Sequence, residues 1–221
     1  MRGIRKRINE METMSTTETR RGRLEALTEA ERFVALFDGC CERWTIAGSI
    51  RRKSPTVGDV DHVTIPIITP LADAADLFAT PRPVNLLWKR ADELVKAGVI
   101  HRHVRDGGGY CWGNKQRSII YRDMKHEIYT ATPDSWGSRV VISTGPWEFS
   151  KRMVTGLLQN NRRNIDGYVW NCRKRNQCDD ALPCLVCDGS TLCPEEKLSV
   201  PTEEEYFSLC GVNFCKPEDR R

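Results

Sequence analysis

The stretch Ala47–Asp61, AGSIRRKSPTVGDVD, limits this chain more than any other. A Gly-Ser pair opens it, two arginines follow, and Asp59 and Asp61 close it one residue apart. In an extended strand, residues i and i+2 share a face, so both carboxylates project together. Two carboxylates that close repel each other unless a cation sits between them, and hard oxygen ligands suit Mg²⁺. The turn and arginines upstream supply donors for phosphate oxygens. A phosphate cradle beside a strand that binds divalent metal is the outline of a phosphoryl-transfer site. The fold must therefore carry a sheet with a tight turn at its mouth.

Length and composition set the frame. With 221 residues the chain holds one large domain or two small ones. It has no run of 18 apolar residues and no apolar core after its basic start, so we expect a cytoplasmic protein with no membrane span. The net charge is +4, and the same excess is found within residues 1–23, where seven Arg and Lys meet three Glu. This predicts a disordered basic arm with affinity for polyanions. Ten cysteines in such a chain argue for reduced thiols or metal rather than disulfides. Cys40, Cys41, Cys210 and Cys215 lie in apolar patterns and read as small core residues.

Periodicity places the motifs. Thr28–Glu31 reads as a capping box, and the apolar spacing from Ala30 to Trp44 reads as one amphipathic helix. A short strand, Trp44–Ala47, enters the Gly-Ser turn, and Ile50–Lys53 begins a helical turn. Asp59–Ile65 is the acid-bearing strand. Helices are expected over Leu71–Phe78 and Val84–Val95. Gly113–Ile120 and Lys125–Ala131 look like paired strands, and Arg139–Ser143 like a third, turning at Thr144-Gly145. A helix over Trp147–Gln159 should bury Phe149, Met153, Leu157 and Leu158. Thr202–Glu205 is a second capping box, for a helix through Leu209 that stops at Gly211.

The Gly-Ser turn followed by Asp-x-Asp resembles the nucleotidyltransferase signature, and the rest of the chain narrows the likeness to family X DNA polymerases of the polymerase beta kind. The strand Lys125-His126-Glu127-Ile128-Tyr129, then Thr132-Pro133, Trp136-Gly137 and Thr144-Gly145, follows the order of that family's third-carboxylate region. TGPWEFSKRM after it is similar to the opening of the family's thumb, and the C-terminal VPTEEEYFSLCGVNFCKPEDRR to its ending. The absence of a helical lyase domain before Thr28 makes the chain similar to the minimal palm-and-thumb members of viruses and phages, without lyase activity.

The resemblance implies an α/β (α+β) fold: a mixed-sheet nucleotidyltransferase palm over residues 24–145 and a small thumb over 146–221. It implies a short-gap, repair-type DNA polymerase, monomeric, that joins a dNTP to a primed or gapped DNA. Asp59, Asp61 and Glu127 would hold two Mg²⁺ (or Mn²⁺), with Glu127 standing where the family has Asp. Ser49, Arg52 and Gly58 would serve the triphosphate, and Thr144, Gly145 and Ser150 the rest of the nucleotide. Lys125 and Lys151 would touch primer and DNA, while Arg51 would be structural or solvent-facing. Ile142-Ser143 replaces an aromatic pair that crowds the sugar 2′ position. Ser150 and Val154 replace residues that read the base pair, which predicts low fidelity. A template-independent transferase and a decayed DNA-end-binding protein are the alternative readings.

The family pattern has no counterpart to the cysteine-rich stretch at about residues 172–193. Cys184-Leu-Val-Cys187 is a metal-type knuckle, and tetrahedral Zn²⁺ needs two more thiolates. Cys178 and Cys193 are the symmetric candidates, with Cys172 as the alternative. A reduced cysteine-rich loop is the competing expectation.

Overall fold

The computed structural model describes residues 20–71, 82–174 and 192–221. The chain opens with β1 (Arg21–Gly22) and α1 (Arg23–Ala35), then β2 (Cys41–Ile46) and the helical turn α2 (Gly48–Arg51). β3 (Thr56–Val57) and β4 (Asp59–Pro66) follow, then β5 (Ile68–Leu71), β6 (Arg82–Asn85) and α3 (Leu86–Lys96). β7 (His101–Arg102), β8 (Gln116–Tyr121) and β9 (Met124–Thr130) complete the first sheet. Beyond it come α4 (Trp136–Thr144), α5 (Trp147–Gln159), β10 (Arg162–Ile165), β11 (Tyr168–Lys174), β12 (Leu192–Leu198) and α6 (Glu203–Leu209).

The main sheet has five strands in the order β2-β4-β9-β8-β7. The central pair β4–β9 is parallel and the other pairs are antiparallel, so the sheet is mixed. Strand alternation divides β4 cleanly. Val60 and His62 face the layer of α1, while Asp59 and Asp61 face the other way, ahead of Val63 and Ile65. Phe33 of α1 and Phe37 just after it, Leu87 and Leu94 of α3, and Ile119 and Ile128 of the sheet form the larger core. A second core joins Val141, Phe149, Met153, Leu157 and Val169 to Tyr206 and Phe207. It covers the three-stranded sheet β10-β11-β12. α4 bridges the second core, through Val141, and a smaller cluster on the main sheet with Ala47, Val63 and Ile65, through Trp136 and Val140.

Several sequence expectations hold. The helix over Trp147–Gln159 is found as read and buries Phe149, Met153 and Leu157, although Leu158 stays 44% exposed. The Thr202–Glu205 capping box closes in both directions. Cys40 and Cys210 are buried, and Cys41 and Cys215 pack half-buried at the core edges.

Others are corrected. Thr28 does not cap α1. The helix starts a turn earlier, and the Thr28 hydroxyl donates to the Leu24 carbonyl at 3.0 Å. α1 also stops at Ala35, because Gly39, at φ +71°, turns the chain into β2. α3 starts at Leu86, where the Asn85 side chain accepts from the Trp88 N–H. Arg139–Ser143 is helical rather than a strand, packed on the main sheet through Val140 and on the second core through Val141. The cysteine-rich stretch at about 172–193 begins on β11 and ends on β12, and its residues 175–191 lie outside the described residues. The helix expected at Leu71–Phe78 begins on the last residue of β5 and otherwise lies outside the described residues.

Candidate active site

Parallel pairing sets the site. Along β4–β9, Asp59 stands opposite Lys125 and Asp61 opposite Glu127. All four side chains rise from the face away from α1. On the next strand, Gln116 and Ser118 share that face, opposite Tyr129 and Glu127.

Glu127 is held by four donors. Lys125 Nζ lies 2.8 Å from Oε1, and Ser118 Oγ donates to the same oxygen at 3.4 Å. Gln116 Nε2 donates to Oε2 at 3.2 Å, and the Tyr129 hydroxyl donates there too. Burial pushes the Glu127 carboxyl up, but the Lys125 and Tyr129 hydrogen bonds outweigh it and hold the group below its usual range. Burial likewise drives the Tyr129 phenol far above its ordinary value, with Glu127 and Asp61 adding to the shift, so it remains a donor.

Asp61 is the opposite case. Burial first, then the charges of Asp59 and Glu127, push its carboxyl up to about 8 against the pull of Arg52 and Lys125. Lys125 Nζ also reaches Asp59 Oδ2 at 3.6 Å. Among the described residues, no three His, Cys, Asp or Glu side chains already form a closed metal cage. The carboxylates stand on neighbouring strands with the Lys125 ammonium between two of them.

The Gly-Ser turn is built against the acids. Gly48 has φ +58°, and a Cβ there would sit 2.1 Å from Asp61 Oδ2. Only glycine permits both the backbone and the contact. The Ala47 N–H donates to the Asp61 carbonyl at 2.8 Å, which fixes turn to strand. Ser49 Oγ is buried with no hydrogen-bond partner among the described residues. That unsatisfied hydroxyl faces a cost that a ligand oxygen would remove. Gly58 joins β3 to β4 just before Asp59.

The two arginines separate in role. Arg52 Nη1 donates to the Thr144 carbonyl and lies in the field of Asp61 and Asp59. Arg51 donates to the Thr144 hydroxyl at 3.1 Å and makes a two-pronged ion pair with Glu203, at 2.8 and 2.6 Å. Arg220 Nη1 meets the same carboxylate at 2.9 Å. Burial pushes the Glu203 carboxyl up, but Arg51 and Arg220 hold it well below its usual range.

Beyond the turn, Gly145 follows Thr144, and a Cβ on it would meet Phe149 Cδ1 at 2.4 Å. The Ser150 hydroxyl is turned away and donates to the Ile142 carbonyl at 2.9 Å. Lys151 is exposed on α5 and lines a groove with Arg152 and the Cys210–Val212 turn.

The zinc candidates are divided. Cys178, Cys184 and Cys187 lie outside the described residues. Cys172 is buried on β11, where it stands across from Pro194, and Cys193 stands across from Arg173. Burial pushes the Cys172 thiol up.

Sequence reading assigned no role to Gln116, Ser118, Tyr129 or Glu203. The first three carry a visible signal, since period-two alternation on β8 and β9 puts them on Glu127's face. Glu203 carries none, because it sits 152 residues from Arg51.

At the level of sequence, neither a family model nor a curated protein matches this chain. Among solved structures, the chain is similar to polymerase beta from Leishmania infantum in a ternary P/T complex. The TM-score is 0.65 at 15% identity, over 91% of this chain and 77% of that one. The fold of this chain is thus that of a polymerase beta-like palm and thumb.

Proposed function

We propose that this chain is a nucleotidyltransferase of the DNA polymerase kind, adding a deoxynucleoside monophosphate from a dNTP to a primer 3′-hydroxyl under template direction. The observation that carries the reading is the Asp61–Glu127 register, closed from above by Gly48 of the phosphate turn. The polymerase beta-like fold supports primed DNA as the partner. Residues 24–145 would act as palm and 146–221 as thumb, with residues 1–23 as a basic arm.

Each residue then has a task. Ser49 offers its unpartnered hydroxyl, and Arg52 its guanidinium, to the triphosphate. Asp59, Asp61 and Glu127 fit divalent cations, because their carboxylates face one another across the β4–β9 pair, and burial with the charges of Asp59 and Glu127 pushes Asp61 up to about 8. Two Mg²⁺ or Mn²⁺ ions there would neutralise phosphate charge and acidify the primer hydroxyl. We assign Glu127 the acceptance of that hydroxyl's proton, its four donors fixing the carboxylate. Lys125 balances the acids beside the primer end. Ser150, committed to Ile142, has its proton occupied, which supports loose checking of the base pair.

One observation favours a second reading. Four donors on Glu127 satisfy a carboxylate's acceptor capacity, as in a site that binds DNA without turnover. A one-nucleotide-gapped DNA separates the two. With Mg²⁺ or Mn²⁺, we expect extension by the complementary dNTP and its loss in Asp61→Ala. Retained DNA binding with no extension in either metal would favour the second reading. Addition blind to template would point to a terminal transferase.

A further inference from the structure

The main sheet carries a second concentration of charge and aromatic surface, on the face away from the acids. Arg102 stands across from Ile119 and Arg117 across from Ile128, and both isoleucines belong to the core under α1 and α3. Both arginines therefore rise on that back face, Arg102 from the outermost strand, β7.

A ladder of alternating guanidinium groups and rings starts there. Arg117, 6% exposed, meets two indoles, 4.6 Å from the Trp88 ring centre and 4.4 Å from that of Trp112. Asp92 Oδ1 accepts from Arg117 Nη1 and from Trp112 Nε1, both at 2.9 Å, which locks the inner rungs. Arg102 lies over the Trp112 ring at 4.7 Å and reaches the Tyr110 ring at 5.8 Å. Tyr110 is bridged to Val104, and the two are 54% and 57% exposed. Arg102 and Arg105 are exposed as well, and neither has an ion-pair partner among the described residues.

The inner rungs close a core, but the outer ones stand in solvent. They hold a ring, an apolar neighbour and two cations in a fixed arrangement, so a ligand loses little to ordering them. The matching ligand is flat, to stack on Tyr110 and on the guanidinium plane, and carries negative charge beside the flat part. An unpaired nucleic-acid strand repeats that pattern at every nucleotide. Bases within a duplex stack on one another and leave no free face to a protein ring.

We propose that Tyr110 and Arg102 form a nucleic-acid site separate from the catalytic face, which takes an unpaired strand by base stacking. The site needs neither metal nor dNTP, so it stands independently of the nucleotidyl-transfer reading.

Fluorescence anisotropy in chelator, without nucleotide, tests it on the full chain. The labelled ligands are an oligothymidylate of about twelve nucleotides, an oligouridylate and an abasic strand of the same length, and a blunt duplex. We expect thymidylate to bind roughly tenfold tighter than the abasic strand. Tyr110→Ala should remove that margin and Tyr110→Phe keep it, with duplex binding unchanged in both. Arg102→Gln should weaken every single strand and flatten the dependence of log affinity on log salt by about 0.7. The tighter of thymidylate and uridylate tells whether the strand is DNA or RNA. A margin kept in Tyr110→Ala overturns the proposal. So does a loss of equal size on the abasic strand or the duplex, which would mark a general effect of charge or folding.

Discussion

Single atoms decide the site. Gly48→Ala would bring a Cβ within 2.1 Å of Asp61 Oδ2 on a φ of +58°. We expect a loss of about 1–3 kcal/mol in urea unfolding and no primer extension. Asp61 gives a pH prediction of definite sign. Its carboxyl holds a proton up to about 8 in the folded chain, against the ordinary 3.8. The folded state thus binds that proton more tightly than the unfolded state, and metal-free stability falls as pH rises through this window. Asp61→Asn should flatten that fall, melting higher than the parent at pH 8 in chelator while abolishing extension. The acid pair was readable from DVD alone, because period two is a local rule. The value of Asp61 was not, since it depends on burial and then on Asp59 and Glu127, the last brought alongside only by strand pairing.

At the level of elements, the parallel pair β4–β9 is bonded behind the acids as well as in front. His62 follows Asp61 and His126 precedes Glu127, so both imidazoles point into the α1 layer. The Trp44 Nε1–H donates to His62 Nδ1 at 3.1 Å, and His62 Nε2 lies 3.0 Å from His126 Nδ1. Trp44 therefore fixes His62 with its proton on Nε2, donating to His126. Phe33 stacks on His126 at 4.0 Å. Burial, aided by the Arg21 charge, pushes His126 down to about 3, and burial holds His62 well below its usual value. The unfolded chain takes up these protons first, so this contribution is present at neutral pH and is lost as pH falls below about 6.5. His126→Phe should take up about one proton fewer on acid unfolding, read from the pH slope of urea midpoints. α4 shows where local pattern fails. VVIS is β-branched and reads as a strand. Tertiary packing overrides it, for Gly137 lies so close to Thr202 that a Cβ would be 1.9 Å from its carbonyl oxygen. Gly137→Ala should cost at least about 2 kcal/mol in thermal melting, since backbone cannot move aside cheaply. By contrast, α5 and the Thr202 cap were legible because their signals lie within one turn.

Across the whole molecule, charge joins the two cores at the phosphate turn. Glu203 is shared by Arg51 and Arg220, while Lys53 meets Glu218 at 3.0 Å. Removing the shared acid leaves two guanidinium groups facing each other. Glu203→Gln should cost about 3 kcal/mol in urea and weaken extension by freeing Arg51 from its seat near Thr144. No local pattern announces such a bridge, because its partners meet only after both cores have formed. The hairpin β11–β12 has the opposite character. Its strands stay paired as far as Lys174 and Leu192, with residues 175–191 between them. Two chain ends already hydrogen-bonded side by side accept a two-residue Asn-Gly turn without changing register. A chain shortened in this way should melt as the parent does in chelator and extend primers equally well. Equal melting and equal extension in that shortened chain would separate whatever Cys178, Cys184 and Cys187 do from the acids on β4 and β9.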